Sequence, residues 1–520
     1  MKKTFRKITA MATALLTSAC LMMPMTMSYT AFAANDGSIT ITSDVSGHTF
    51  EAYQIFDGDL SDDGILSNVE WGTGVNGDAL LTAVKAINVN GSKPFSTCTS
   101  AADVAAVLST ITAENDPITK AFADAVGKNL NTATGTFAAT DSGYEITGLD
   151  NGYYLVKDKD GSVNADNHEA YTNYIVKVAG TATVSPKTEL PSLTKEVGDI
   201  NNSDSSTEVF GDSADHDFGD TVNFKLTGTL PANYADYDTY QYDFYDTLSA
   251  GLTLNVNTVK VFVDNSGTET EITSSFTIDT DATPFTIKCA NLKAIQNVTI
   301  NANSKIIVKY SATLNENTAT VGSTGNPNTA HLVYSNNPNG EGTGKTPDSE
   351  VKVYTYAVVI NKTDSSSPAQ PLNGATFKLE KYDGTAWAEV ETIIGTSDSA
   401  FTFDGLDDGR YKLSETKAPA GYNPIEPVYF KIEATHNNTG LTGLTGTATN
   451  ENGTVINDNP PISFTPVLAD GTLTADVKNA KGDPLPSTGG IGTTIFYVGG
   501  GALVAVAGVF LIAKKRMSSK

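Results

Sequence analysis

The stretch EVKVYTYAVVINKTD, residues 350–364, indicates the fold most clearly. It is rich in Val, Ile, Thr and Tyr, which favour β-strands. It begins where the Gly-, Pro- and Asn-rich segment SNNPNGEGTGKTPDSE, at 335–350, ends. Similar runs, such as GRYKLSETK at 409–417 and TLTADVKNA at 472–480, alternate with Asn-Gly and Asp-Gly turns along the chain. Helical periodicity is limited to short stretches near 78–88 and 101–111. The pattern predicts an all-β chain of sandwich type.

Two polar segments divide this strand-rich chain. One is the segment at 335–350, and the other is TVSPKTELPSLTKEV at 183–197, in which Pro186 and Pro191 favour extended backbone. A chain of 520 residues is expected to hold several domains, because one domain typically has about 150 residues. We therefore predict domains at 35–187, 188–352 and 353–483, with processed ends at 1–34 and 484–520.

Both ends of the chain have the features of targeting segments. The first 34 residues have a basic start, an apolar stretch and the small-residue pattern Ala31-Phe32-Ala33, which predicts a cleaved secretory signal peptide. Cys20 leaves a lipoprotein signal as an alternative, although the usual leucine three positions upstream is missing. Near the other end, LPSTGG at 485–490 precedes an apolar stretch at 495–513, which is long enough to cross a membrane, and then KKR. The basic tail is expected on the cytoplasmic side.

The section between these ends is strongly acidic. Eight of the 34 basic residues lie in the two ends, so 35–488 keeps 26 basic against 59 acidic residues, a net charge of −33. Such a charge disfavours nucleic acid and anionic lipid as partners. Once the signal peptide is removed, only Cys98 and Cys289 remain. A disulfide framework is therefore not expected, although the chain is secreted.

Strand alternation places several polar side chains on faces that are otherwise apolar. Lys362, for example, shares its face with Val358 and Ile360, whereas Lys225 and Lys378 alternate to the solvent side. The second and third predicted domains each combine such a lysine with a carboxylate and an asparagine. The two sets are Lys195, Asp246 and Asn328, and Lys362, Glu415 and Asn479.

A buried lysine, carboxyl and amide are costly unless they interact, because removing an ion from water costs several kcal/mol. An apolar site favours the neutral amine and the neutral carboxyl. A neutral amine can attack the asparagine carbonyl while the carboxyl passes a proton to the departing ammonia, which would give a Lys–Asn isopeptide bond. A hydrogen-bonded ion pair without a covalent step is the alternative. The first predicted domain has no matching lysine, so no internal bond is expected there.

The end of the chain resembles the LPxTG cell-wall sorting signal of Gram-positive surface proteins. Its five positions are filled by Leu485, Pro486, Ser487, Thr488 and Gly489. The resemblance implies that a sortase cuts between Thr488 and Gly489 and passes the Thr488 carbonyl to an amine. VSPKT at 184–188 resembles the pilin motif of sortase-assembled backbone pilins and implies Lys187 as that amine. An ordinary linker lysine is the alternative, since Ser185 and Thr188 depart from the motif.

The domains resemble those of the same backbone pilins. NKTD, LSETKAPAGY and VKNAKGDPLPSTGG are similar to a collagen-adhesin B-type domain, which implies that Lys362 and Asn479 are linked under Glu415. LTKEV, FYDTLSAGLTL and GNPNTAHLVYSNNP resemble the partner domain, which implies that Lys195 and Asn328 are linked with Asp246. HTFEAYQIFDGDLS resembles the N-terminal domain. The resemblance implies three tandem Ig-like sandwiches of collagen-adhesin A/B type in an elongated array.

The implied function is that of a major pilus subunit which contributes to adhesion and colonisation and is a sortase substrate, not an enzyme. The implied partners are a pilus-specific class C and a housekeeping sortase, identical subunits, minor pilins at tip and base, and peptidoglycan. The host receptor is not indicated, and no cofactor or metal is expected. A monomeric wall-anchored adhesin is the main alternative. An anchored hydrolase is disfavoured, because neither GxSxG nor HExxH occurs.

One acidic stretch has the spacing of a calcium-binding loop. Its candidate ligands run from Asp158 to Glu169, but Val163 stands where that loop needs glycine and the flanks predict strands. A solvated acidic turn is the preferred interpretation.

Overall fold

The computed structural model describes residues 37–41, 48–61, 65–111, 116–138, 144–164, 166, 168–172, 175–178, 181–184, 190–204, 206–482 and 491–517. The predicted signal peptide at 1–34, Lys187 and the motif at 485–489 lie outside these residues.

In its described residues, the N-terminal region combines two small sheets with three helices. One sheet has the order β3-β2-β6-β7 with β4 beside β2, and the other has the order β5-β1-β8. The strands are β1 (Gly37–Ile41), β2 (Thr49–Leu60), β3 (Leu66–Trp71), β4 (Gly135–Ala138), β5 (Tyr144–Leu149), β6 (Gly152–Asp158), β7 (Ile175–Val178) and β8 (Thr181–Val184). The helices are α1 (Gly77–Ala86), α2 (Ala101–Leu108) and α3 (Pro117–Gly127).

These helices begin at side chains that cap their first turns. Asn76 accepts from the amide of Ala79, and Ser100 and Asp103 form a capping box. The helices α1 and α2 confirm the two helical stretches expected from the sequence. The restriction to those two stretches is wrong, because α3 is a third helix, with Asp116 as N-cap and Pro117 in its first turn.

The middle region is a sandwich of two sheets. One has the order β10-β9-β12-β19-β15-β16 with β14 beside β19, and the other has the order β11-β22-β20-β13-β18-β17 with β21 beside β20. The strands are β9 (Leu193–Asp199), β10 (Val209–Gly211), β11 (Ser213–Asp215), β12 (Thr221–Thr229), β13 (Tyr242–Leu248), β14 (Leu252–Leu254), β15 (Lys260–Asn265), β16 (Thr268–Glu271), β17 (Thr277–Asp279), β18 (Phe285–Cys289), β19 (Lys305–Leu314), β20 (Asn326–Ser335), β21 (Thr343–Lys345) and β22 (Ser349–Tyr354). Short 3₁₀ helices lie at Ala232–Asp236, Val256–Thr258, Thr273–Ser275 and Leu292–Ala294.

The C-terminal region is a second sandwich. Its sheets have the orders β26-β23-β31-β30 and β25-β24-β27-β28-β29. The strands are β23 (Tyr356–Asp364), β24 (Thr376–Tyr382), β25 (Trp387–Ile394), β26 (Ala400–Leu406), β27 (Gly409–Lys417), β28 (Val428–Asn437), β29 (Gly440–Thr449), β30 (Phe464–Val467) and β31 (Thr472–Asn479). The first and last strands of this region, β23 and β31, are adjacent and parallel.

Strand alternation produces the two sandwich cores. Along β20 every second residue from Asn326 to Tyr334 is buried, and Lys225 on β12 points out between the buried Phe224 and Leu226. The middle core ends at Val353 and the C-terminal core begins at Tyr354. The all-β architecture expected from the sequence is confirmed.

The C-terminal helix α4 (Ile491–Met517) contains the apolar stretch noted in the sequence. Its section Tyr497–Lys515 is long and apolar enough to cross a membrane, and it is the one such helix among the described residues. Cys98 and Cys289 are both buried and free.

Candidate functional site

The polar set of the middle sandwich spans its two sheets. Lys195 lies on β9 in one sheet, whereas Asp246 and Asn328 lie on the neighbouring strands β13 and β20 of the other. All three side chains are buried in the core between the sheets. The strand faces expected from the sequence therefore bring these three residues to one place.

A fourth residue, Tyr310 on β19, joins this set. Lys195 Nζ lies 2.5 Å from Asp246 Oδ2 and 2.8 Å from the Tyr310 hydroxyl oxygen. That hydroxyl donates to Asp246 Oδ2 at 2.7 Å and accepts from Asn328 Nδ2 at 2.8 Å. The Tyr310 hydroxyl therefore contacts the amine, the carboxylate and the amide at once. Asp246 Oδ1 and Asn328 Oδ1 are buried without a hydrogen-bond partner.

The surroundings of Lys195 favour its neutral form. Burial lowers the pKa of the Lys195 ammonium, and the adjacent Asp246 offsets this only in part. The rings of Phe224 and Tyr310 lie 5.4 Å and 5.2 Å from Lys195 Nζ, measured to their centroids, and act in the opposite direction because an aromatic face attracts the charged amine. Burial, with Asp246 nearby, also raises the pKa of the Tyr310 hydroxyl well above its ordinary value. Tyr310 therefore stays protonated and can donate a hydrogen bond.

The set of the C-terminal sandwich has a more direct geometry. Lys362 on β23 lies opposite Val477 on the parallel strand β31, and its Nζ donates to the Val477 carbonyl at 3.0 Å and to Asn479 Oδ1. Glu415, on β27 of the facing sheet, accepts from Asn479 Nδ2 through both carboxylate oxygens at 3.0 Å. Its Oε1 is 3.6 Å from Lys362 Nζ. The carboxylate thus touches both the amine and the amide without an intermediary.

The pKa of Lys362 is shifted in the same direction as that of Lys195. Burial lowers the pKa of the Lys362 ammonium against the opposing effect of Glu415. The amide of Ile425 donates to Glu415 Oε2 at 3.0 Å and holds the carboxylate in place. By contrast Lys225 and Lys378 form partly exposed salt bridges with Glu196 and Glu380, as expected for surface lysines.

Tyr310 was not among the residues singled out from the sequence. It shares a buried strand face with Ile306, Val308 and Ala312, so its pattern is that of any core aromatic. The signal that could have pointed to it is chemical. Aspartate is one methylene shorter than glutamate, and among the described contacts Asp246 reaches Asn328 only through the Tyr310 hydroxyl.

The N-terminal region holds a different buried pair. His48 Nδ1 lies 2.6 Å from Asp158 Oδ1, and the amide of Thr172 donates to Asp158 Oδ2 at 2.6 Å. The interpretation of the acidic stretch as a wholly solvated turn is therefore wrong for Asp158. This carboxylate is buried and contacts the His48 ring and the Thr172 amide. Asp160 is exposed and pairs with Lys157, so these two carboxylates have partners within the protein.

Comparisons with known proteins agree with this architecture. The family model for a prealbumin-like fold domain named SpaA matches residues 357–454, and the LPXTG cell wall anchor motif matches residues 477–519. The trypsin-resistant surface T6 protein of Streptococcus pyogenes serotype M6 is 28% identical over 420 residues, which are 69% of this chain and 74% of that protein. The solved T6 backbone pilin of serotype M6 Streptococcus pyogenes has the same fold, with a TM-score of 0.54 and 19% identity over 87% of this chain and all of that one.

These similarities support a major pilin of the sortase-assembled class. The matched anchor motif and the apolar helix α4 make this pilin a cell-wall-attached surface protein of Gram-positive type. A shorter match, 34% identical over 83 residues, relates 16% of the pilin to 12% of the pilus tip adhesin Cpa of Streptococcus pyogenes. The pilin is a structural backbone subunit.

Proposed function

We propose that the pilin forms a covalently polymerised shaft. A sortase cleaves the amide between Thr488 and Gly489, keeps the Thr488 acyl group as an intermediate and passes it to the Lys187 amine of the next subunit. One amide breaks and one forms, so the step needs no external energy source. The domains are 35–187, 188–352 and 353–483, so that each link is followed along the shaft by two sandwiches.

Each of these two sandwiches carries an internal isopeptide bond, Lys195–Asn328 and Lys362–Asn479. The lysine Nζ attacks the asparagine Cγ, the Cγ–N bond of the amide breaks, and ammonia leaves with the proton that the amine has lost. Glu415 carries that proton directly in the C-terminal sandwich. Asp246 does so with the Tyr310 hydroxyl in the middle one.

The observation that carries this proposal is the parallel pairing of the first and last strands of the C-terminal sandwich, with Lys362 and Asn479 in contact and buried. A bond there lets a pulling force pass from β23 to β31 without loading the strands between them. The buried set in the middle sandwich supports the same arrangement. Such bonds also supply the bracing that disulfides give to other secreted proteins.

Replacement of Lys187 tests the intersubunit link. The variant K187A should abolish the high-molecular-weight ladder that cell-wall extracts give on denaturing gels, and leave monomer at the cell surface. The matched control is K478A, which removes an exposed lysine on β31 and should keep the ladder. A ladder that persists in K187A would refute Lys187 as the acceptor. A wild-type chain that forms no ladder would favour the monomeric adhesin.

A further inference from the structure

A second group of chemistry-bearing residues lies where the middle and C-terminal sandwiches meet. Asp199 ends β9, Asp215 ends β11, and His436 lies near the end of β28 in the other sandwich. One ligand atom from each of these residues lies within 4.8 Å of those of the other two. We call these three residues the junction site.

Asp215 is the residue that most needs a partner. It is 2% exposed, and its Oδ2 atom has no hydrogen-bond partner although it lies 3.8 Å from His436 Nε2 and the carboxyl group is near the buried Tyr356 hydroxyl, which has no partner either. That distance is too long for a hydrogen bond. A buried carboxylate oxygen without a donor costs considerable free energy, so its position beside the imidazole nitrogen requires an explanation.

The hydrogen bonds of His436 place a lone pair on that same nitrogen. His436 Nδ1 is 2.9 Å from Ser213 Oγ, and the Ser213 hydroxyl donates its one proton to Asp212 Oδ1 at 3.1 Å. Ser213 Oγ must therefore accept from His436, which puts the proton on Nδ1 and leaves Nε2 as an acceptor. Two acceptor atoms thus face each other across the junction site.

The charge around the site is unbalanced as well. Asp199 and Asp408 place two further carboxyl groups near that of Asp215. Among the described residues, no lysine or arginine forms a salt bridge with Asp199 or Asp215. The neighbouring carboxylates Asp217 and Asp407 differ, because the Lys381 ammonium contacts both of them.

We propose that Asp199, Asp215 and His436 bind a divalent cation of the zinc type and thereby join the middle and C-terminal sandwiches. A cation between Asp215 Oδ2 and His436 Nε2 would use both facing lone pairs and balance the carboxylates. The imidazole nitrogen favours Zn²⁺ or a similar transition metal over Ca²⁺ and Mg²⁺, which prefer oxygen ligands alone. Three protein ligands leave a fourth tetrahedral position for water.

The consequence of the junction site is mechanical. Asp199 and Asp215 belong to the middle sandwich and His436 to the C-terminal one, so a bound cation would resist bending at this joint. The proposed isopeptide bonds brace each sandwich internally and do not cross the joint. The junction site is therefore independent of them, and its test does not depend on whether they form.

Isothermal titration of the EDTA-treated full chain with ZnCl₂ tests this proposal. We expect one Zn²⁺ per chain and a higher unfolding temperature in its presence, since a metal that binds only the folded chain stabilises it. The variants D215N and H436Q should each weaken Zn²⁺ binding at least roughly tenfold, because even outer-shell partners contribute that much. D215N should fold without metal, because it removes a buried charge.

The control is H331Q, which alters a partly buried histidine beside Asp348 and should leave Zn²⁺ binding unchanged. Absence of Zn²⁺ binding by the wild-type chain would overturn the proposal and favour a proton held by Asp215. Equal binding by the wild type, D215N and H436Q would also overturn it, since the cation would then lie elsewhere. Tighter binding of CaCl₂ than of ZnCl₂ would contradict the role of His436.

Discussion

Replacing Lys362 by Met and Glu415 by Gln in one variant separates a covalent cross-link from a buried ion pair. The two substitutions remove both charges from the set and nearly keep its volume. If the wild type holds only an ion pair, the K362M/E415Q variant should be about as stable as the wild type or more stable. The reason is that replacing a whole buried ion pair by uncharged groups of similar volume often leaves the free energy of unfolding unchanged or increases it.

A Lys362–Asn479 bond predicts the opposite result. It would close a loop between residues 117 positions apart, which stabilises the fold by about 5 kcal/mol in the chain-entropy model used for disulfides. The variant cannot form the bond and should lose that amount. For a domain of this size the loss should lower the unfolding temperature by roughly 15–25 °C.

Calorimetry compares the unfolding temperatures of the wild type and K362M/E415Q, read from the transition of the C-terminal sandwich in each protein. The control K431M/E433Q makes the same chemical changes at an exposed pair of the same sandwich, 2.6 Å apart, and should shift stability by less than about 1 kcal/mol. A K362M/E415Q variant whose C-terminal transition matches the wild type would refute the cross-link in this sandwich.

Three further outcomes are expected. Y310F should slow or prevent the bond in the middle sandwich, so that intact-mass spectrometry detects chains that keep one more ammonia, about 17 Da, than the wild type. In N328A, which cannot form that bond, Lys195 keeps a folded-state pKa below its unfolded value. The unfolded N328A chain then binds more protons than the folded chain at alkaline pH, so the free energy of unfolding measured with urea should rise from pH 7 to 9.5. In K195M/N328A, which lacks the lysine, that rise should be missing. K381M leaves two carboxylates without their cation and should cost about 3–5 kcal/mol in the same assay, and an unchanged midpoint would contradict the role given to Lys381.

Much of the candidate site follows from the sequence, because strand side chains alternate with a strict period of two. That rule alone places Lys362 and Asn479 on buried faces, and the structure puts them in contact. The rule is weaker on a strand that is buried on both faces. On β13 both Asp243 and Asp246 are buried, and only the facing lysine and tyrosine separate their roles.

Other features have a sequence signal that is too short to recognise, or depend on residues that are far apart in the chain. The helix α3 carries the apolar residues Ile118, Phe122 and Val126 at intervals of four residues, and a helical period of this length is too short to stand out in the sequence. Tyr310 looks like a core residue until the two sheets are stacked. The junction site joins residues more than two hundred positions apart, Asp215 and His436, and only the packing of two sandwiches brings them together.

The mass of the mature chain tests the central claim most directly. Each Lys–Asn bond expels one ammonia, about 17 Da, so two bonds predict a mass about 34 Da below the sum of the residues. Tandem mass spectrometry should then find Lys195 joined to Asn328 and Lys362 joined to Asn479 in cross-linked peptides. A mass equal to that of the unmodified sequence would contradict the account and leave two buried ion pairs in its place.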